Sequence, residues 1–135
     1  MSPANTIINL TAVIVAVTNE QPRVLIVDRD GPGLPSGPFD PAQHDSLESG
    51  LRQLVEAQTG LGLYYVEQLY TFGDPDRDPG RRVITVSYFA VVPATDVVPR
   101  TADDADYVRW WPFENLPELV FDHAGILNYA LKRLR

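Results

Sequence analysis

The stretch "LPSGPFDPAQHDSLESGLRQLVEAQTGL", Leu34 to Leu61, decides how this chain folds. Its first half is punctuated by Pro35, Gly37, Pro38 and Pro41, which hold it as a loop. Ser46 then offers a side-chain oxygen to a helix start, as an N-cap or first-turn residue. Leu47, Leu51, Leu54, Val55 and Gln58 follow at helical spacing. Thr59, Gly60 and Leu61 supply the stop, because glycine readily takes the left-handed conformation that ends a helix. A loop feeding a helix in this way often carries a metal, with carboxylates stacked on one helical face. Here the helix holds only Glu48 and Glu56. Each lies four residues from Arg52, so the three read as a solvated ion-pair ladder worth roughly a few tenths of a kcal/mol per pair.

Working outward, "NLTAVIVAVT" (Asn9 to Thr18) and "RVLIVD" (Arg23 to Asp28) are β-branched and continuously apolar. "NEQP" between them punctuates like a hairpin turn. Such strands suit a sheet covered on both faces. The segment from Arg29 to Asp45 is read as a long loop without regular structure, and loops of that length are often functional. Beyond the helix, "LYYVEQLYTF" (Leu63 to Phe72) and "VITVSYFAVVP" (Val83 to Pro93) read as strands flanking the loop "GDPDRDPGRR". "ATDVVPRTADDAD" is polar, and "YVRWW" (Tyr107 to Trp111) is a short strand. Its adjacent Trp110 and Trp111 must face opposite ways, one into the core and the other toward an interface or a pocket rim. The last element is a helix from Asp122 to Leu134, with Asp122 as N-cap and Ile126, Leu127, Ala130, Leu131 and Leu134 on its buried side. The expected fold is α/β (α+β), an α-β-α sandwich with a mixed sheet and two main helices.

The chain has 135 residues, 44% of them hydrophobic, enough for one domain with a real core. It has no cysteine, which excludes disulfides, thiolate zinc sites and cysteine nucleophiles. No apolar run approaches the ~18 residues needed to span a bilayer. The start lacks the layout of a secretory signal, so a cytoplasmic setting is expected. A net charge of −7 opposes nucleic acid as a partner. Ten of the eleven cations are Arg and Lys132 is the only Lys, which favours bidentate contacts; high-GC coding produces the same bias.

The order of these elements and the words in them resemble the Nudix hydrolase family. Its signature, G-x5-E-x7-R-E-U-x-E-E-x-G-U with U a bulky aliphatic, sits on a loop–helix–loop. Glutamates at i, i+3 and i+4 share a helix face there and hold Mg²⁺ or Mn²⁺ against a diphosphate. Counting back from Gly60 and Leu61 without gaps, Gln53 stands at the signature Arg and Leu54 at the first helix Glu. Val55 keeps the aliphatic, and Ala57 and Gln58 stand at the paired glutamates. Asp45 takes the earlier Glu position, and "LPSG" (Leu34 to Gly37) stands where the family usually has LPGG. A register shift of one would rotate the rest of the helix by about 100° and is rejected. "LYTFGDPDRDPGRRVITVSYFAVVP" and "LPELVFDHAGIL" are similar to a subgroup of ADP-ribose pyrophosphatases and Nudix-related transcriptional regulators of NAD metabolism, whose regulators carry a winged-helix domain after the Nudix-like one.

That resemblance implies a single Nudix-like domain over residues 1–135, a possible N-terminal part of a longer regulator, and a homodimer by analogy. It implies ADP-ribose or a related nucleoside diphosphate as ligand, without efficient hydrolysis and without a resident metal. Arg77, Arg81 and Arg82 are candidate diphosphate contacts, although Asp74, Asp76 and Asp78 alternate with them and can neutralise the loop internally. Phe72 or Tyr88 could stack on an adenine, the commoner fate of a strand aromatic being core packing. His123 could border the ligand pocket, more as a hydrogen-bonding residue than as a base. His44 reads as exposed and, with Asp45, falls short of a metal site. Two other readings stay open. One is an active hydrolase using Mg²⁺ or Mn²⁺ at a displaced site built from Asp45, Glu48, Glu56 and the acidic loop. The other is a domain kept for association only.

Overall fold

The computed structural model describes residues 6–18, 21–28, 31–73, 82–93, 107–120 and 123–133. Its elements are β1 (Thr6–Thr18), β2 (Gln21–Asp28), β3 (Pro32–Gly33), β4 (Ser36–Pro38), α1 (Leu47–Thr59), β5 (Glu67–Phe72), β6 (Arg82–Val92), β7 (Tyr107–Pro112) and α2 (His123–Arg133). A 3-10 turn, Phe113–Asn115, follows β7. The strands form one mixed sheet in the order β3-β2-β1-β6-β5, with β4 beside β1 and β7 beside β2. The expected mixed sheet with two helices is thus present.

β1 is the centre of the sheet. It runs parallel to β6 from Thr6 to Ala16 and antiparallel to β2 from Val15 to Thr18. The seven successive residues Leu10 to Ala16 are all buried. Alternation sends Leu10, Ala12, Ile14 and Ala16 to one face, where Leu51 and Val55 of α1 meet them. Val13 and Val15 face the other way and pack with Ile126, Leu127 and Ala130 of α2. The continuous apolar run therefore reports a strand with a helix on each side. Trp110 and Trp111 obey the same alternation, each half-buried against a different one of these two clusters.

The helix boundaries have local causes. The Ser46 side chain accepts from the Ser49 N–H, and the Ser49 hydroxyl accepts from the Ser46 N–H. This reciprocal pair satisfies donors that the first turn leaves open. Gly60, at φ 78°, ends α1 in the left-handed conformation while its N–H bonds the Glu56 carbonyl. Asp122 and Leu134, expected at the limits of the last helix, lie outside the described residues. No helix among the described residues is long and apolar enough to cross a membrane.

Three expectations are corrected. The segment from Arg29 to Asp45 is not wholly irregular, since β3 pairs with Val27 and Asp28 and β4 with Asn9 to Thr11. Proline removes a donor but keeps its carbonyl, and the Ala12 N–H bonds the Pro35 carbonyl at 2.9 Å. The strand expected from Leu63 starts only at Glu67. Arg52 explains this delay: besides its 3.3 Å ion pair with Glu48, it donates to the carbonyls of Leu63 and Tyr64. The Glu48–Arg52–Glu56 row is therefore more than a solvated ladder, because its central cation ties the chain leaving α1 back onto the helix.

Leu51 is fully buried between α1 and the sheet. Leu51→Ala should lower the stability by about 2–5 kcal/mol, measured by denaturant unfolding followed through tryptophan fluorescence.

Candidate functional site

The segment after β2 is clamped between the end of α1 and the start of α2. From the α1 side, Gln58 uses both ends of its amide on Ser36. Its Nε2 donates to the Ser36 carbonyl at 2.7 Å, and its Oε1 accepts from the Ser36 N–H at 3.3 Å. From the other side, the buried Leu34 N–H donates to Nδ1 of His123 at 3.0 Å. That bond requires His123 to carry no proton on Nδ1. The Val120 N–H adds a 2.8 Å bond to the Pro32 carbonyl. Gln58 and His123 are only 8% and 5% exposed, so these polar contacts form away from bulk water. Missing partners there would cost about 1–3 kcal/mol each.

Two glycines permit this closeness. A Cβ on Gly33 would stand 2.9 Å from Nδ1 of His123, and one on Gly37 would stand 2.8 Å from Cδ2 of Leu54. The segment lies on both helices because it has no side chain at these points. A recess of about 220 Å³ opens here, lined by Val27, Gly31, Ser36, Gln58, Val120 and His123 among others.

The three α1 positions aligned with metal-binding glutamates fare differently. Leu54 is half-buried on Gly37 and against the α1-side core, Ala57 is exposed, and Gln58 is occupied by Ser36. Asp45 and Glu56 are both exposed. Among the described residues, no three His, Cys, Asp or Glu side chains are grouped so as to hold a metal ion. His44, expected to be exposed, is half-buried: its Nδ1 accepts from the Asp40 N–H at 3.0 Å and its ring lies 5.6 Å from that of Phe39. It fastens the loop ahead of α1, which leaves that nitrogen unavailable to a metal beside Asp45.

Phe72 and Tyr88 are not brought together. Tyr88 is buried under α1, and burial, then the Glu48 carboxylate, push its hydroxyl above the usual phenolic range. Phe72 belongs to the α2 side, in edge contact with Tyr70 and Tyr129 at 4.9 and 6.1 Å. They occupy opposite faces of the sheet and cannot flank one ring. Arg77 and Arg81, with Asp74, Asp76 and Asp78, lie outside the described residues. Arg82 begins β6, and its side chain is likewise not described.

Sequence reading missed a second recess, about 250 Å³, lined by Ile26, Asp28, Pro32, Arg109 and Trp111. The antiparallel register sets Ile26 opposite Arg109 and Val24 opposite Trp111. The Arg109 guanidinium sits 5.2 Å from the centre of the Trp111 ring. "RWW" announces that Arg109 and Trp111 share a face, but not which strand lies beside them.

Residues 9–130 match the NUDIX domain family. The chain belongs to the Nudix family. This Nudix domain is 27% identical to the ADPR responsive transcriptional repressor NtrR of Acinetobacter baylyi, over 90% of this chain and 51% of that protein. It is 29% identical to an ADP-ribose pyrophosphatase of Methanocaldococcus jannaschii, over 62% of this chain and 48% of that one. The chain therefore spans about half the length of the curated relatives it matches. Among solved structures it resembles the NUDIX domain of Shewanella oneidensis NrtR complexed with ADP ribose, with a TM-score of 0.87 and 28% identity over 97% of this chain and 90% of that one.

In Gln58→Glu, an ionised carboxylate would face the Ser36 carbonyl with no proton to donate, so the fold would favour the protonated acid and raise its pKa. Raised acids lose stability as pH rises. Relative to wild type, the variant should lose about 1–3 kcal/mol at pH 7 and recover much of it near pH 4, as read by paired denaturation curves.

Proposed function

We propose that this Nudix domain binds ADP-ribose or a related nucleoside diphosphate compound and does not hydrolyse it efficiently. The observation that carries the reading is the two-way amide bond of Gln58 with Ser36, at a position where the family signature has a metal-binding glutamate. A divalent ion needs several oxygen donors converging on one point. Leu54 and Ala57 offer none, and both ends of the Gln58 amide are taken by the loop. Among the described residues the donor set does not fit Mg²⁺ or Mn²⁺. What remains is a recess with polar backbone and side-chain groups, held open by contacts from both helices. The relatives support the ligand class: a repressor described as ADPR responsive, an ADP-ribose pyrophosphatase, and a Nudix domain complexed with ADP ribose. On this reading the chain senses the ligand.

ADP-ribose at ~100 times its dissociation constant should stabilise the protein by ~2.7 kcal/mol, seen as a rise in melting temperature. AMP release in the presence of Mg²⁺ or Mn²⁺ should stay far below ordinary enzyme rates. Turnover on the order of 1 s⁻¹ or faster would refute the proposal.

A further inference from the structure

The recess between β2 and β7 belongs to none of the interactions just described. Among the described residues its floor is Ile26, its walls are Pro32 and Trp111, and its rim carries a carboxylate, Asp28, and a guanidinium, Arg109. Ile26, Asp28, Arg109 and Trp111 face the same way, since Ile26 and Asp28 are two apart on β2 and Arg109 and Trp111 two apart on β7. Asp28 and Arg109 are exposed, whereas Ile26 is 2% exposed. Among the described residues no ion pair engages the Asp28 carboxylate, and Arg109 lies against the Trp111 ring.

The chemistry of this rim selects its occupant. Asp28 opposes a phosphate or carboxylate, and Arg109 opposes a cation. A neutral group with apolar faces and N–H donors on its edge satisfies both. The exposed Arg109 guanidinium, 5.2 Å from the indole centre, can offer a planar face to a second ring. At about 250 Å³ the recess takes a ring-sized fragment, since whole drug-sized ligands fill upwards of about 300 Å³.

We propose that this recess is a base-binding subsite: an amino-bearing heterocycle stacks on the Arg109–Trp111 pair while its exocyclic amine donates to Asp28. The inference deepens the nucleotide reading above and rests on it only for the identity of the remaining ligand. β3 separates this recess from the one at Gln58 and His123, Pro32 lining the first and Gly31 and Gly33 the second. A nucleoside diphosphate with a second sugar has two ring ends, and this arrangement assigns the base to the rim of Asp28 and Arg109 and leaves to the sugar the recess at Gln58 and His123.

The test uses adenosine, purine riboside (the same nucleoside without its amine) and ribose 5-phosphate, each titrated into ¹⁵N-labelled protein while the Trp111 indole and Arg109 Nε–H signals are followed. Adenosine should move both signals, purine riboside should bind about tenfold more weakly, and ribose 5-phosphate should leave both in place. Asp28→Ala should erase the difference between the two nucleosides. Arg109→Lys, which keeps the charge but loses the plane, should weaken adenosine about tenfold with the melting temperature unchanged. Unmoved signals with adenosine, or equal affinity for both nucleosides, would overturn the subsite. The two readings fail separately. If ADP-ribose binds without moving Trp111 and Arg109, the subsite is wrong and the nucleotide reading stands. If adenosine seats here and ADP-ribose binds no better than adenosine, the subsite stands and the diphosphate reading fails.

Discussion

Everything in this fold answers to the burial of β1. A strand whose residues Leu10 to Ala16 all lose contact with water must be covered above and below and bonded along both edges. The faces are covered by α1 and α2. One edge is satisfied along its length by β6, and the other is divided between β2, at Val15 to Thr18, and β4, at Asn9 to Thr11. The Pro35 carbonyl fills part of the gap between them by accepting from Ala12. The proline-rich segment is thus drawn against the centre of the sheet, because β1 would otherwise have unpaired backbone there. Its position between the two helices follows from that requirement.

What could be read from the sequence, and what could not, divides along the same line. Periodicity located α1, because Leu51 and Val55 sit on its buried face and Ser46 and Gly60 mark its ends. Alternation separated Trp110 from Trp111. Unbroken apolar runs indicated strands shielded twice. Pairing between distant segments was less legible. Proline and glycine density suggested irregularity over residues 29–45, yet β1 recruits part of that segment into the sheet. Arg52 looked like a surface cation, and only the return of residues 63 and 64 to its helix revealed its carbonyl partners. Arg109 and Trp111 became a candidate site only through their register against β2, a pairing about 80 residues away in the chain that no local pattern encodes.

At the α1 segment that the resemblance singles out, the structure shows what two of the side chains touch. Leu54 and Gln58 are contacts that seat β4 on α1: one packs on Gly37 and the other spans the Ser36 peptide group. A glutamine suits that second task because its amide both donates and accepts, which an ionised carboxylate cannot do. The polar groups at this end of α1 have therefore been turned inward toward the chain itself.

The segment from Pro32 to Gly37 has a mechanical consequence. It is bonded to α1 through Ser36 and to the start of α2 through Leu34, while Pro32 takes a bond from Val120. The two helices lie on opposite faces of the sheet, and this short run of backbone joins them by hydrogen bonds rather than by packing through the sheet. A two-sided tether of this kind means that the end of α1 and the start of α2 share one short piece of backbone as hydrogen-bond partner.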